Sequence, residues 1–295
     1  KSAILTLNPN FPGNYEGAKP TIAKVIYKKV VSATQLDDLK SGGVDVLMGI
    51  TGGAETDEAV AACDNSNGAF VYTHYSRAGY GKLQFRNDYG PAQFTAVRQA
   101  ITYCLDRASF AKTFTGGYGS VVHGPYSTAQ WMYQDSEEFF NDNLNNYSYD
   151  PAKAVEVLEA DGWIYNKDGE AYTEGVRYKK IPAEYADEND KTYKSIDGAY
   201  VTTKVGDDYY MPLVLNWYGT TDNPFSDLLV TDFEQGTNIA AAGFVIQKTT
   251  GDFAPMLDEF YQQAVYGFYS GTPMYSCFNY ATGFTSAAYD YSYNW

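Results

Sequence analysis

Histidine and cysteine are scarce in this chain, with two of the first and three of the second among 295 residues. The shortage of histidine closes most routes to a Ser-His-Asp nucleophile. His74 and His123 are the available imidazoles, and neither stands near a Gly-x-Ser-x-Gly turn. Cys63, Cys104 and Cys277 are odd in number and far apart, so neither a disulfide framework nor a zinc knuckle can be read from them. Buried free thiols are expected instead. No histidine or cysteine falls at a metal-ligand spacing, and neither a metal nor another cofactor is expected.

Clustered positive charge is missing as well. The formal net charge is −15, and the one basic cluster is Arg177-Tyr178-Lys179-Lys180. That balance argues against a nucleic acid or an anionic membrane as partner, because phosphate binding needs grouped Lys and Arg. No apolar run reaches the length needed to cross a bilayer, and nothing at Lys1 resembles a secretion signal or a lipid-attachment cysteine. The glycines Gly116, Gly117 and Gly119 lack the Gly-Lys-Ser/Thr of a phosphate loop and read as a helix stop. The adjacent carboxylates Asp37-Asp38, Glu137-Glu138 and Asp207-Asp208 read as solvated.

Aromatic residues are abundant, and the apolar content is that of a globular protein. The clearest periodic stretch runs through Phe94, Val97, Ile101, Cys104 and Leu105, whose helical spacing commits one side of a helix to a core. Asp106 is placed to cap a second helix that ends at Gly116. Tyr149-Asp150-Pro151 opens another, with Val155 and Leu158 inward and Gly162 as its stop.

Earlier in the chain, strands are expected at residues 3–7, 22–31 and 44–48. A short helix between the last two is announced by the S-x-x-Q spacing of Ser32 and Gln35, giving a β-α-β arrangement. A helix is expected over residues 55–63 and strands over 70–75 and 80–86. Residues 124–146 read as a long aromatic and polar surface segment. Residues 164–208 are rich in Tyr, Lys, Asp, Glu and Gly, with turn signals at 167–169, 196–198 and 206–208; this is a hairpin-rich insertion or a disordered one. Beyond it come a strand at 211–218, a helix at 226–242 stopped by Gly243, a strand at 244–247, a helix capped by Asp252, and a strand at 274–278.

The wording of several segments resembles the family 5 extracellular solute-binding proteins. The pieces are Val97-Arg98-Gln99-Ala100-Ile101 through Asp106-Arg107 to Gly116-Gly117-Tyr118-Gly119, then Tyr149-Asp150-Pro151 through Asp161-Gly162-Trp163. Two earlier ones are Leu7-Asn8-Pro9-Asn10 with Gly17-Ala18-Lys19-Pro20, and Leu39-Lys40-Ser41-Gly42-Gly43-Val44-Asp45. They fall in the family order over most of residues 1–163, and the likeness continues more loosely over 211–295.

The resemblance implies an α/β fold, a mixed-sheet lobe of the type II periplasmic-binding architecture carrying the hairpin-rich insertion. It implies a truncated piece, with residues 1–20 the tail end of a hinge-side lobe and 21–295 a ligand-binding lobe incomplete at its C-terminus. Function by resemblance is capture of a peptide or other small solute outside the membrane for delivery to ABC permease subunits, by a monomeric receptor that is lipid-anchored or periplasmic in full length. No bond is broken in such a role, and membrane insertion of this piece is not expected. The expected ligand-facing residues lie in the aromatic C-terminal run: Asn279, Tyr280, Tyr289, Asp290, Tyr291 and Trp295, with Asp290 near the place where peptide-binding relatives hold the ligand ammonium. The alternative from another class is an extracellular glycan-binding or glycan-processing protein, for which aromatics would stack on sugars and two carboxylates would have to converge.

Overall fold

The computed structural model describes residues 2–50, 52–75, 78–87, 90–124, 126–183, 202–234, 236–262 and 274–281. The chain divides into two compact units, Lys1–Thr51 with Glu55–Val71, and Gly52–Ala54 with Tyr72–Trp295. Among the described residues no helix is long and apolar enough to cross a membrane.

In the smaller unit, β1 (Ser2–Thr6) and β2 (Lys24–Lys28) form an antiparallel ribbon with Ser2 opposite Lys28 and Thr6 opposite Lys24. The boundary expected at residue 20 therefore falls between two strands that pair with each other. Strand alternation gives Ala3 and Leu5 one face with Tyr27 and Val25. All ten strand residues are exposed. The helix α1 (Gln35–Lys40) starts at Gln35, with Thr34 at its N-cap making no side-chain cap bond. Gln35 Nε2 donates to Glu55 Oε2 at 3.4 Å, on α2 (Gly53–Asp64). The strand expected over Val44–Met48 is not formed, and Val46 and Met48 are exposed. No described strand lies beside them to complete a ladder, and an unpaired extended segment gains nothing from strand geometry.

The larger unit opens with residues 72–75 in irregular conformation, where a strand was expected, followed by β3 (Gly81–Phe85). The helix α3 (Thr95–Cys104) buries Val97, Ala100, Ile101 and Cys104, as its periodicity predicts. Asp106 accepts from the Ser109 amide at 3.0 Å and opens α4 (Arg107–Thr115), which Gly116 closes at φ 64°. The next segment is more ordered than a surface loop. It holds α5 (Trp131–Gln134) and α6 (Glu137–Asn143), because Tyr133 and Phe140 are both buried and stack at 5.6 Å. Asp150 caps α7 (Pro151–Ala160) through the Lys153 amide at 3.0 Å, and α7 packs Ala154 and Leu158 into the core with α3.

The insertion is hairpin-rich where it is described. Strands β4 (Tyr178–Ile181), β5 (Thr203–Val205) and β6 (Asp208–Pro212) make an antiparallel sheet in the order β4-β6-β5. The turn signal at 196–198 lies outside the described residues. The chain continues through β7 (Val214–Thr220), α8 (Pro224–Phe233), α9 (Thr237–Ala241), β8 (Val245–Gly251), α10 (Phe253–Phe260) and β9 (Cys277–Ala281). The single helix expected over 226–242 is thus two, the second with Gly236 at its N-cap. Asp252 precedes α10 but makes no side-chain cap bond.

The main sheet has the order β3-β9-β7-β8, with β7 parallel to β8 and β9, and β3 antiparallel to β9. Every residue of β7 is buried, as expected of a central strand covered on both faces. Its alternating side chains feed two cores. Leu215 and Trp217 join the large cluster with Ile101, Leu158 and Trp163, whereas Tyr218 joins a smaller one with Met256, Phe260, Tyr275 and Phe278.

Candidate ligand-binding site

The order of the strands singles out one end of this sheet. From β7 the chain passes through α8 and α9 to β8 on one side, then through α10 to β9 on the other side of β7. Successive crossovers that part in this way leave a crevice outside the carboxyl ends of the parallel strands, the usual ligand position of an open α/β sheet. Thr220, Gly251 and Ala281 end β7, β8 and β9, and Gly81, opposite Ala281, begins β3 at the same end.

The side chains at this end form a floor and a polar relay. Phe225 lies on Gly81, where a Cβ would stand 3.0 Å from its ring, and meets Phe110 and Phe114 edge to face at 4.8 and 5.3 Å. Above them, Asn223 caps α8 by accepting from the Phe225 amide at 3.0 Å, and its Nδ2 donates to Thr220 Oγ1 at 2.7 Å. Thr220 Oγ1 and Ser226 Oγ are 3.4 Å apart, the Thr220 amide donates to Ser226 Oγ at 3.2 Å, and Ser226 donates to Asn279 Oδ1 at 3.1 Å. Thr220, Ser226 and Asn279 are all buried.

Beside this relay stand the exposed Thr221, Asp222 and Asp252 and the buried Tyr218. Thr221 Oγ1 lies 3.4 Å from Asp252 Oδ1, and Asp222 holds φ at 52° in the turn between β7 and α8. Tyr218 donates its hydroxyl to the Asp252 carbonyl at 3.0 Å. Burial, then the Asp252 carboxylate, raises the Tyr218 pKa, so the phenol stays a neutral donor.

Of the residues expected to face ligand, Asn279 is on β9 at this end of the sheet, with its side chain engaged by Ser226. Tyr280 follows it on β9, paired in register with Lys82. Tyr289, Asp290, Tyr291 and Trp295 lie outside the described residues. Sequence reasoning passed over Thr220, Asn223 and Ser226. The one local signal was Asn223-Pro224, a cap followed by a helix-opening proline. Among the described residues, no group of three or more His, Cys, Asp and Glu side chains is placed to hold a metal ion.

A mixed sheet packed with helices, with its topological switch point at the carboxyl ends of the parallel strands, is a lobe of the type II periplasmic-binding class. Over residues 1–224 the chain matches the family described as bacterial extracellular solute-binding proteins, family 5 Middle. The chain belongs to that family. It is 27% identical over 151 residues to the nickel-binding periplasmic protein of Escherichia coli (strain K12), covering 51% of this chain and 27% of that protein. It is 28% identical over 81 residues to the heme-binding protein A of Haemophilus influenzae, covering 28% of this chain and 14% of the relative.

Solved structures agree on the fold. The Bacillus subtilis oligopeptide-binding protein AppA, in complex with a nonapeptide, aligns with a TM-score of 0.64 at 17% identity, covering 96% of this chain and 45% of that one. Lactococcal OppA complexed with an endogenous peptide gives 0.64 at 17% identity, over 100% of this chain and 49% of that one. The chain thus spans just under half of these two structures' length.

Proposed function

We propose that this chain is part of the substrate-binding receptor of an ABC importer, and that the receptor captures peptides outside the membrane and delivers them to its permease. The family match over residues 1–224 carries this reading. Two observations support it further: the strand order, which puts the switch point at the carboxyl ends of the parallel strands, and the peptides in the solved relatives AppA and OppA. Binding proteins of this kind work by ligand-driven closure of two lobes, a population shift in which no covalent step takes place. On this reading the larger unit supplies one face of the cleft and the chain catalyses nothing. In the full receptor, a lipid anchor or the periplasm keeps it at the outer side of the membrane.

A ligand enclosed between two lobes draws its affinity from both faces, while the loss of translational and rotational freedom on binding is nearly the same for one face as for two. These 295 residues alone are therefore expected to hold peptides at roughly millimolar strength. Calorimetric titration at matching concentrations, with a synthetic library of three- to six-residue peptides, tests the reading, with oligosaccharides and nickel(II)-histidine as parallel arms. Peptides should bind and be recovered intact by mass spectrometry. Binding confined to sugars or to the nickel complex, or catalytic cleavage of any added substrate, would overturn it.

A further inference from the structure

We infer that the Ser226 hydroxyl and the Asn279 amide are positioning residues that hold the β7–α8 turn in register with β9 for ligand binding, an inference that rests on the peptide-receptor reading above. The relay is directional. Asn223 Nδ2 donates to Thr220 Oγ1 at 2.7 Å and Ser226 donates to Asn279 Oδ1 at 3.1 Å; with the single Ser226 proton so used, Thr220 is the donor across the 3.4 Å between Thr220 Oγ1 and Ser226 Oγ. Hydrogen bonds lined up donor to acceptor polarise one another, and in a buried setting each lost member leaves a desolvated polar atom behind.

What the relay joins gives it its role. Thr220 is the last residue of β7, Asn223 and Ser226 are the cap and first turn of α8, and Asn279 is the third residue of β9. Packing alone would not need four polar side chains here, because Phe225 with Phe110 and Phe114 already fills the space beside Gly81. Apolar contacts tolerate sliding; a chain of hydrogen bonds fixes one arrangement. The segment so fixed is Thr221-Asp222-Asn223, which includes the left-handed Asp222 and follows the carboxyl end of β7, where open α/β sheets take their ligands. Asn279 thereby acts through the turn and not by touching the ligand.

Two variants of equal shape test this. Ser226→Thr keeps a hydroxyl, and Ser226→Val replaces it with a methyl group at the same volume. Hydrogen exchange of the 295-residue chain is followed at the Thr220 amide and along β9, with the α3 amides as internal reference. The valine variant should exchange at least tenfold faster than the threonine variant at Thr220, with α3 unchanged. Its affinity for the peptide library should be at least fivefold weaker. Equal exchange in the two variants would overturn the inference. So would a difference in exchange without a difference in peptide affinity. If the parent binds nickel(II)-histidine or sugars and no peptide, the receptor reading fails, and the valine-to-threonine affinity ratio for that bound probe decides the positioning role in its place. Ser226→Ala, which adds no volume, replaces the pair if neither β-branched variant folds, and is compared with the parent by the same two measurements.

Discussion

The side chain of Arg177 occupies the space in which a Cβ on Gly243 would have to stand: the two carbons would be 2.3 Å apart. The Arg177 amide also donates to the Gly243 carbonyl at 3.0 Å. Its buried guanidinium donates to the Ala242 and Trp163 carbonyls and to Glu159 Oε1, at 3.0, 2.9 and 3.1 Å, and lies 4.0 Å from the Tyr172 ring. One arginine thus ties the end of α7 to the turn between α9 and β8.

Gly243→Ala is expected to be among the most damaging single-methyl additions. At φ 94° an L side chain is strained, which costs about 1–3 kcal/mol, and the methyl also displaces Arg177 from its three acceptors. A total near 3 kcal/mol should lower the melting temperature by about 6–12 °C. Repeating the change in an Arg177→Ala background separates the causes, since only the backbone strain survives there. Strict additivity of the two substitutions in thermal melts would show that the arginine contact is not involved.

The buried ion pair of Arg86 with Glu259 invites a different substitution. Both side chains are inaccessible to solvent, and Glu259 also accepts from the Met274 amide at 3.0 Å, so the pair links the end of β3, α10 and the approach to β9. Glu259→Gln removes the carboxylate charge, 1% exposed, beside the buried Arg86 guanidinium and should cost about 3–5 kcal/mol. The double change Arg86→Met with Glu259→Leu should cost less than the single one, because both members of the ion pair are removed together. Urea unfolding of the three proteins decides it, and a single variant within 1 kcal/mol of the parent would refute the expectation.

Local signals carried much of the fold. Ile101 was identifiable as core because its neighbours at helical spacing are apolar, and Asp106 and Asp150 as caps because each bonds an amide three residues on. Failures came where the deciding partner is remote. Val44–Met48 has strand composition but no described strand beside it. Arg177 sits in what looks like a solvated basic cluster, yet its acceptors Trp163 and Ala242 are 14 and 65 positions away. Ser226 and Asn279 are separated by 53 positions, so the relay at the sheet end could not be read from either segment. At β1 and β2 the expected strands form and pair, with Leu5, Ile26 and Tyr27 exposed.

The thiols give the chain a pH dependence on its alkaline side. Cys63, Cys104 and Cys277 are all free. Burial pushes the Cys104 thiol up to about 12 from its ordinary 9.0, and burial raises Cys277 as well. A group whose acidity is suppressed in the folded state stabilises fully below its unfolded value. Above that value the unfolded chain releases the proton and the folded one does not, so stability falls as pH rises. The window opens near 9.0 and, for Cys104, closes near 12. At one pH unit above the ordinary value, each buried thiol should have lost about 1.4 kcal/mol of its contribution. Urea unfolding at pH 7 and pH 10 measures the loss, and the Cys104→Ala, Cys277→Ala double variant serves as reference because lysines and tyrosines titrate equally in both proteins. The parent should lose about 2–3 kcal/mol more than the double variant over that interval, and equal losses would show that these thiols ionise as freely in the folded chain as in the unfolded one.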